Sequence, residues 1–428
     1  MDQGSAVPVP PIISRGICFL AQSEFWLVSA LVFASMLSTR FLPAAVYTAA
    51  GFWLIRLLMR WLGENSLKRR TPGDWGVLLM LLTVPVTLAV ATQPDVTRVQ
   101  VYRLLTGIAL YYAIASYAIR LPQLKLMITG ISLGGALLAL IAPFSVEWAT
   151  GKVPLIPAVL YERFSLLVSD TIHPNVLAGS LAILCPLALG WLLFTWKDIH
   201  WASRLMLVIS AGLMLGMTGL TQSRGAWLAT AAAILGLVIL RWRWGWTVIL
   251  PAAVGLAGLV YTQGIATPLQ FILSSGQLIG LAGRMDIWQR ALFMIQDFPF
   301  TGIGMGSFTQ VTNLLYPFSA APSTIDHAHN LFLQIGVDLG IAGLIAWLAI
   351  FLGMLASAWS LYRQGMARGN RFAAGLGAGL FCSQIALAVH GLTDAVTWGM
   401  VRPAPLVWAL WGITAAAYAF FSSQNKTE

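Results

Sequence analysis

The sequence contains very few charged residues. Only 9% of its 428 residues are Asp, Glu, Lys or Arg, against about 25% in an average soluble domain. Hydrophobic residues make up 58% of the chain, and the mean hydropathy is +0.79. A water-soluble fold of this size needs more polar surface than these residues provide. The composition therefore excludes a soluble enzyme, a disordered protein and a nucleic-acid-binding domain, and it predicts an integral membrane protein.

Cysteine is also scarce, and its distribution excludes two further kinds of protein. The chain has three cysteines, Cys18, Cys185 and Cys382, which lie far apart. They form no CxxC pair that would indicate a zinc site, and their odd number and wide spacing do not fit a disulfide framework. The N-terminus has no basic segment ahead of an apolar run, so we expect no cleavable signal peptide.

Long apolar segments dominate the chain. A transmembrane helix needs about 20 apolar residues, and we identify about twelve segments of this kind, at roughly 24–41, 43–62, 76–93, 100–119, 123–143, 175–196, 203–221, 225–240, 246–262, 340–362, 371–392 and 404–422. They are continuously apolar rather than alternating, which favours helices over the strands of a membrane barrel. We therefore predict an all-α polytopic membrane protein with about 12 transmembrane helices, forming a single integral membrane domain over residues 1–428.

The few charges that are present indicate how these helices are oriented. The net charge is +10, and an even number of spans places both termini on the same side of the membrane. If the termini are cytoplasmic, the whole positive surplus falls on the inner side, and the outer side carries equal numbers of acidic and basic residues. This is the positive-inside distribution, and it predicts cytoplasmic termini.

Two connections are long, and this orientation places both of them outside. They are residues 144–174 and residues 263–330, the second of which lies between spans 9 and 10. Long loops are more often functional than short ones, whereas the predicted inner connections are short. We therefore expect the function to reside on the outer face, with part of the active site carried by the 263–330 loop.

Two arginine motifs lie near the predicted outer surface. Ser223-Arg224-Gly225 separates two apolar segments, and an arginine there is costly unless it is paired or functional. In the long loop, GRMDIW (283–288) opens an amphipathic helical segment in which Asp286 and Arg290 are spaced for pairing. Beyond it, FPFTGIGMG (298–306) predicts the end of this helix and a tight turn. The GxGxG pattern in that turn is by itself weak evidence for phosphate binding.

Histidine is rare, and three of the five histidines fall on the predicted outer side. They lie in HAHN (327–330), where the long loop returns to the membrane, and in HPN (173–175), where a span begins. Imidazole is suited to proton transfer near neutral pH. A metal site would need further ligands, and the neighbouring Asp326 and Asp338 do not make a convincing set. Asp394, at the outer end of the eleventh span, could orient a histidine or pair with an arginine.

Together these residues match the chemistry of a lipid-diphosphate substrate. Five side chains are predicted on one membrane face: Arg163, Arg224, Arg284, His329 and Asp394. The guanidinium group of arginine binds phosphate through a rigid fork of donors. A histidine beside such arginines can take a proton from a hydroxyl. This is the set of groups that a transferase for a lipid-diphosphate-linked sugar requires.

Three motifs resemble a known family. The segments TQSRG (221–225), GRMDIW with FPFTGIGMGSF (283–288 and 298–308), and HAHNLFLQIGVDLGIAG (327–343) resemble the bacterial O-antigen ligase and O-antigen polymerase superfamily. HPN (173–175) is similar to another recurring feature of that family. The resemblance extends over roughly residues 160–400, and the N-terminal third is similar only in its pattern of spans.

The resemblance implies a metal-independent, inverting membrane glycosyltransferase that uses no cofactor. The donor would be a glycan on undecaprenyl diphosphate, and the acceptor a hydroxyl on a glycolipid or glycan. The enzyme would lie in the bacterial inner membrane, with its active site facing the periplasm. The implied catalytic residues are His329, Arg224, Arg284 and Asp394, and the implied substrate-binding residues are Arg163, His173, Asn175, His327 and Asn330.

Several alternatives remain open from the sequence. A ligase transfers the glycan to a lipid acceptor, a polymerase to another lipid-linked repeat, and a protein glycosyltransferase to a Ser or Thr hydroxyl. The absence of a large extra domain in the outer loop disfavours the last of these, but the motifs do not separate ligase from polymerase or indicate which of His327 and His329 acts. Two alternatives come from other classes of protein. A transporter of a small anion such as bicarbonate should have inverted repeats and polar groups near the bilayer midplane. A purely structural subunit would not need the arginines and histidines.

Overall fold

The fold is a bundle of helices. The computed structural model describes residues 11–61, 70–148, 159–162, 164, 171–242, 244–265, 281–318, 325–395 and 397–424. Within these ranges the chain forms helices and turns, and its only β pairing is an isolated bridge between Val146 and Ile172. The prediction of an all-α membrane protein is confirmed in this general form. Cys185 and Cys382 are buried and unpaired.

Fifteen α-helices occur in the described ranges. They are α1 (Pro11–Leu37), α2 (Leu42–Trp61), α3 (Asp74–Ala89), α4 (Pro94–Tyr117), α5 (Leu121–Ile141), α6 (Val159–Glu162), α7 (Pro174–Thr195), α8 (Trp201–Leu220), α9 (Arg224–Arg241), α10 (Ile249–Gln263), α11 (Leu281–Asp297), α12 (Phe308–Leu315), α13 (Leu331–Ala367), α14 (Arg371–Gly391) and α15 (Pro405–Gln424). Several begin at residues that favour helix starts. Pro94 and Pro174 occupy first-turn positions, and the Asn330 side chain caps α13.

Nine helical stretches in the described residues are long and apolar enough to cross a membrane, and they contain α2, α5, α7, α8, α9, α10, α13, α14 and α15. Every predicted apolar segment overlaps one of the helices given above. Three of these helices fall short as spans, however. The apolar part of α1 (Gln22–Leu37) and α3 are shorter, and α4 is not among the nine stretches. The number of about 12 transmembrane helices therefore stays a prediction.

Helix α14 lies at the centre of the bundle and packs most extensively against α7, α13 and α9. Small residues make these contacts close. A Cβ added at Gly190 of α7 would lie 2.6 Å from the Gly375 carbonyl oxygen and 2.7 Å from Gly379 Cα. In a membrane, helices associate through close backbone packing, because lipid tails are as apolar as the side chains. The GLGAG segment (375–379) of α14 therefore packs closely in the core, and this packing fixes the positions of both ends of the helix.

The change Gly190→Ala is expected to lower the thermal stability of the detergent-solubilised protein. The added methyl group would overlap the α14 backbone, and overpacking of this kind costs about 1–3 kcal/mol. Gly212→Ala, in the middle of α8, is the matched control because a Cβ there meets nothing within 4 Å. The test compares the midpoints of thermal unfolding. Equal midpoints for the two variants would contradict the close α7–α14 contact.

The start of α13 differs from the sequence prediction. Span 10 was predicted to begin at residue 340, but the helix begins at Leu331 and is broken at Gly340, where φ is +70°. The carbonyl and amide groups exposed by this break bond to the segment after α11. The Ile341 amide donates to the Pro299 carbonyl at 2.7 Å, and the Ile303 amide donates to the Val337 carbonyl at 2.9 Å. Hydropathy alone missed the first part of α13 because Gln334 and Asp338 interrupt the apolar run.

The glycine-rich turn at 302–306 is part of this packing. A Cβ at Gly302, where φ is +62°, would lie 2.6 Å from the Asp338 backbone. The Met305 amide donates to Thr87 Oγ1 at 2.9 Å, and its carbonyl accepts from Thr97 Oγ1 at 2.7 Å. The turn therefore packs between α3, α4 and α13. Its glycines permit close backbone contact. The backbone amides of Ile303 and Met305 already donate to protein acceptors, so they are not presented to a phosphate.

Candidate functional site

Asp394 lies at the centre of the candidate site, in the turn that follows α14. Its side chain is buried. The Asn175 side-chain amide donates to Oδ2 at 2.9 Å, and the Ala395 backbone amide donates to Oδ1 at 2.9 Å. Asn175 is the second residue of α7, so this hydrogen bond joins the start of one helix to the end of another. The pairing of these two predicted site residues, 219 positions apart, is a product of the fold.

Both histidines of the HAHN motif face the same carboxylate. His329 Nδ1 lies 3.5 Å from Asp394 Oδ1, and His327 Nε2 lies 3.8 Å from the same oxygen. The ring centroids of the two histidines are 4.1 Å apart. His329 has a φ of +48°, which is uncommon for a residue with a side chain, and such strained residues cluster at functional sites. This backbone conformation directs the imidazole toward Asp394 just before α13 begins.

The surroundings of Asp394 favour its ionised form. Burial by itself raises the pKa of this carboxyl, but the adjacent His329 and the positive charge available on His327, His329 and His390 hold the pKa below its usual range. For His327, the effect of burial on the pKa is larger than the effect of the neighbouring charges. Burial lowers its pKa, and the Asp394 carboxylate only partly offsets that effect. These two shifts favour an ionised Asp394 beside a neutral His327.

Arg284 reaches the site from the long connection predicted at residues 263–330. It lies in the first turn of α11, the amphipathic helix that the sequence predicted, in which Asp286 and Arg290 form the expected ion pair. Arg284 is buried, and its Nη1 donates to the Thr393 carbonyl next to Asp394. Burial lowers the pKa of the guanidinium and Asp394 opposes that shift. Among the described residues, no acceptor satisfies Arg284 Nε, so a buried positively charged donor remains available.

The SRG motif contacts the turn after α14 from another side. Helix α8 ends at Leu220, and Gln222 takes a φ of +53° before α9 begins at Arg224. A Cβ at Gly225 would overlap the Thr393 side chain and would lie 3.7 Å from the His390 ring. Only glycine permits so close an approach. The contact brings the first turn of α9, which includes the partly buried Arg224, against the segment that carries Asp394.

The remaining predicted residues occupy the edge of the site or lie outside the described ranges. Asn330 caps α13 and also donates from Nδ2 to the Leu392 carbonyl at 3.3 Å. His173 is exposed and caps α7, accepting from the Asn175 amide at 3.2 Å. Its charge is close enough to influence His327. Arg163 lies outside the described residues.

All of these groups lie at the same ends of the helices. They come from the starts of α7, α9 and α13 and from the end of α14. Helix α14 spans 21 residues, or about 30 Å at the α-helical rise, so the opposite ends of these helices are far from the site. The site is thus confined to one face of the bundle.

Comparison with known protein families gives a match to part of the chain. Residues 209–348 match a protein-family model described as O-antigen ligase. This match supports the resemblance to the O-antigen ligase and polymerase superfamily that the motifs indicated. A search of curated proteins found no match. The match is narrower than the span of 160–400 estimated from the motifs, but it contains Arg224, Arg284, His327, His329 and Asn330.

The O-antigen ligase domain does not contain every group in the site. Asp394, Asn175 and His173 lie outside residues 209–348. They approach the domain's histidines and arginines only because α7 and α14 pack together. The superfamily consists of membrane glycosyltransferases of the ligase and polymerase type, which is the class of activity predicted from the sequence.

Two polar residues near Asp394 and the HAHN motif were not recognised from the sequence as part of the site. His390 is buried one turn before Asp394, close enough to Arg284 and Asp394 for their charges to interact. Its Nε2 has no partner among the described groups. The Gln334 side chain accepts from the Ala328 amide at 2.7 Å and donates to Asp338 Oδ1 at 2.9 Å, supporting the HAHN segment. The i, i+4 spacing of His390 and Asp394 was the available signal for His390.

His327, His329 and Asp394 also have the spacing of a three-ligand metal site, because their ligand atoms lie within 4.8 Å of one another. The hydrogen bonds favour a different use. His327 Nδ1 accepts from the His329 backbone amide at 3.1 Å, so we assign the ring proton of neutral His327 to Nε2. A metal ion requires a lone pair at that atom. In this conformation His327 Nε2 is therefore an N–H donor rather than a metal ligand.

Proposed function

We propose that this protein is an O-antigen ligase-type glycosyltransferase that transfers a glycan from undecaprenyl diphosphate to an acceptor hydroxyl. The reaction would be metal-independent and would invert the anomeric carbon. The convergence of His329, Asp394 and Arg284 at the turn after α14 carries this proposal. It unites a base, the group that orients the base, and a buried cation in one site. Those are the parts required for displacement of a diphosphate by a hydroxyl.

His329 is the proposed general base, with Asp394 as its positioning residue. The Asp394 carboxylate faces His329 Nδ1 at 3.5 Å and favours the tautomer that carries hydrogen on Nδ1. The lone pair then resides on Nε2, which accepts the proton of the acceptor hydroxyl. Asp394 also stabilises the imidazolium that results. His327 has its Nδ1 engaged by the His329 amide, so its proposed role is to support this pair and to contact substrate.

Arg284 and Arg224 are proposed to hold the leaving diphosphate. As the acceptor oxygen bonds to the anomeric carbon, the bond from that carbon to the phosphate oxygen breaks and its electron pair remains on the diphosphate. Buried guanidinium groups stabilise this growing charge more than water does. The unpartnered Nε of Arg284 supports the assignment, since an unsatisfied buried donor in a native fold indicates a missing acceptor. Arg163, His173, Asn175 and Asn330 remain proposed substrate contacts.

A transporter is less consistent with the observed contacts. Discontinuous helices are common at transport sites, where unwound carbonyls bind the ion, and α13 does contain a break at Gly340. Here the groups at the break bond to residues 299–303. The nearby Asp338 carboxylate accepts from Gln334 and from Trp398, at 2.9 and 2.8 Å. These groups are occupied by protein donors and acceptors.

Reconstitution of the purified full-length protein with a defined undecaprenyl-diphosphate glycan tests the proposal. We expect glycan to appear on the acceptor and free undecaprenyl diphosphate to be released in equal amounts, with metal chelators present. A single shifted glycolipid band on a gel indicates a ligase, whereas a ladder of lipid-linked products indicates a polymerase. Donor that stays intact with every acceptor, together with uptake of a small anion into proteoliposomes, would overturn the proposal in favour of transport. In a bacterial cell we propose that the protein lies in the inner membrane with this site toward the periplasm.

A further inference from the structure

A surface cavity of about 470 Å³ lies at the ends of the helices opposite the candidate site. It is formed where the start of α5, the end of α7 and the turn between α13 and α14 meet. Residues on these elements include Lys125, Trp191, Asp198, Arg371 and Phe372. A volume of this size accommodates a small ligand or the headgroup of a lipid. The cavity lies at the start of α14, about 30 Å from the end of that helix next to Asp394, so it is separate from the proposed glycosyl-transfer site.

Two cations and a buried indole N–H are among the hydrogen-bond donors of this cavity. Lys125 and Arg371 are charged, exposed side chains at its rim. Trp191 is 94% buried, with a relative exposure of 6%, and its indole Nε1 has no acceptor among the described residues. An indole nitrogen can only donate, and an unsatisfied buried donor indicates a missing acceptor. An acceptor with several oxygen atoms would contact all three groups at once and would satisfy the Trp191 indole.

The single acid in the cavity does not neutralise both cations. Asp198 pairs with Arg371 at 2.9 Å. Lys125 instead lies over the Phe372 ring, with its Nζ 5.5 Å from the ring centroid, and Phe372 packs edge-on against Trp191 at 5.8 Å. The walls are thus aromatic and the polar groups carry a net positive charge. This combination suits an anion attached to an apolar body.

We propose that this cavity binds the phosphate group of an anionic phospholipid. Lys125 and Arg371 contact the phosphate oxygens, Trp191 donates its indole N–H, and the rings of Trp191 and Phe372 contact the glycerol backbone. The positive-inside charge distribution predicts that this end of the bundle faces the cytoplasm, where anionic lipids attract basic residues. Basic pockets between transmembrane helices on that side are suitable sites for such headgroups.

Lipid retention by the full-length protein tests the proposal. The protein is delipidated in detergent, supplied with phosphatidylglycerol or phosphatidylcholine, and examined by native mass spectrometry. We expect one tightly retained phosphatidylglycerol per chain and much weaker retention of phosphatidylcholine. Lys125→Gln and Trp191→Phe should each weaken phosphatidylglycerol retention by about tenfold, as expected for loss of one hydrogen bond to a charged group. Arg363→Gln removes an exposed arginine that does not line the cavity and should leave retention unchanged.

Two outcomes would overturn the proposal. Equal retention of both lipids, unaffected by Lys125→Gln, would mean that the cavity does not recognise the anion. Saturable binding of inorganic phosphate without retention of phosphatidylglycerol would identify free phosphate, rather than a lipid, as the ligand. Trp191→Phe keeps the aromatic ring, and Lys125 is exposed, so neither change should prevent folding. The transfer assay is not needed for this test, so its result stands separately from that of the proposed function.

Discussion

The change His329→Ala is expected to reduce glycan transfer by about 10²–10⁴-fold, the usual contribution of a positioned general base. The physical reason is the pairing of His329 Nδ1 with Asp394 at 3.5 Å, which leaves Nε2 as the proton acceptor. Alanine removes that acceptor, and no other described group is placed to replace it, since His327 uses its Nδ1 lone pair within the motif. The measurement is the initial rate of acceptor glycosylation by reconstituted protein.

Two controls make this result specific. His200→Ala removes an exposed histidine beside the start of α8, at the opposite ends of the helices, and should leave the transfer rate unchanged. Donor binding by His329→Ala should also persist, because the arginines are intact. Transfer at the wild-type rate by a correctly folded His329→Ala protein would remove this residue from the chemistry.

The change Arg284→Ala is expected to weaken the binding of undecaprenyl diphosphate by at least tenfold, because it deletes a buried charged donor, and to lower the transfer rate as well. Arg284 holds the Thr393 carbonyl through Nη1 and has an unpartnered Nε. Arg284→Lys should not restore binding, since a lysine ammonium cannot reproduce the fork of donors. Affinity for undecaprenyl diphosphate, measured with the solubilised protein, checks this prediction.

The matched control for this prediction is Arg98→Ala. Arg98 is an exposed arginine near the start of α4 that pairs only loosely with Asp95, at 3.4 Å. Its loss should not change donor affinity. If Arg284→Ala binds undecaprenyl diphosphate as tightly as Arg98→Ala does, then Arg284 serves only to hold the turn after α14. A decrease in thermal stability without a decrease in affinity would support that structural role.

Parts of the site could be predicted because local sequence determines them. The SRG turn, the amphipathic α11 with its Asp286–Arg290 pair, and the capped start of α7 depend on residues within one or two helical turns of each other. The arrangement around Asp394 could not be derived in this way. Asn175 and Arg284 reach residues 393 and 394 from distant parts of the chain, and only helix packing brings them there. Asp394 was predicted to orient a histidine or to pair with an arginine; it lies beside His329, and its orienting role stays a prediction.

The scarcity of charge and the continuous apolar segments of this chain by themselves determined that it is a helical membrane protein, because a backbone in lipid must satisfy its hydrogen bonds within each helix. The tertiary structure decided three further features. Close contact of Gly190 with α14 aligns the helix ends that carry the site. The break at Gly340 is filled by the segment after α11, which extends α13 back to the HAHN motif. The buried Asp394 meets both histidines of that motif. Each depends on packing between residues distant in the chain, which apolar patterning does not encode.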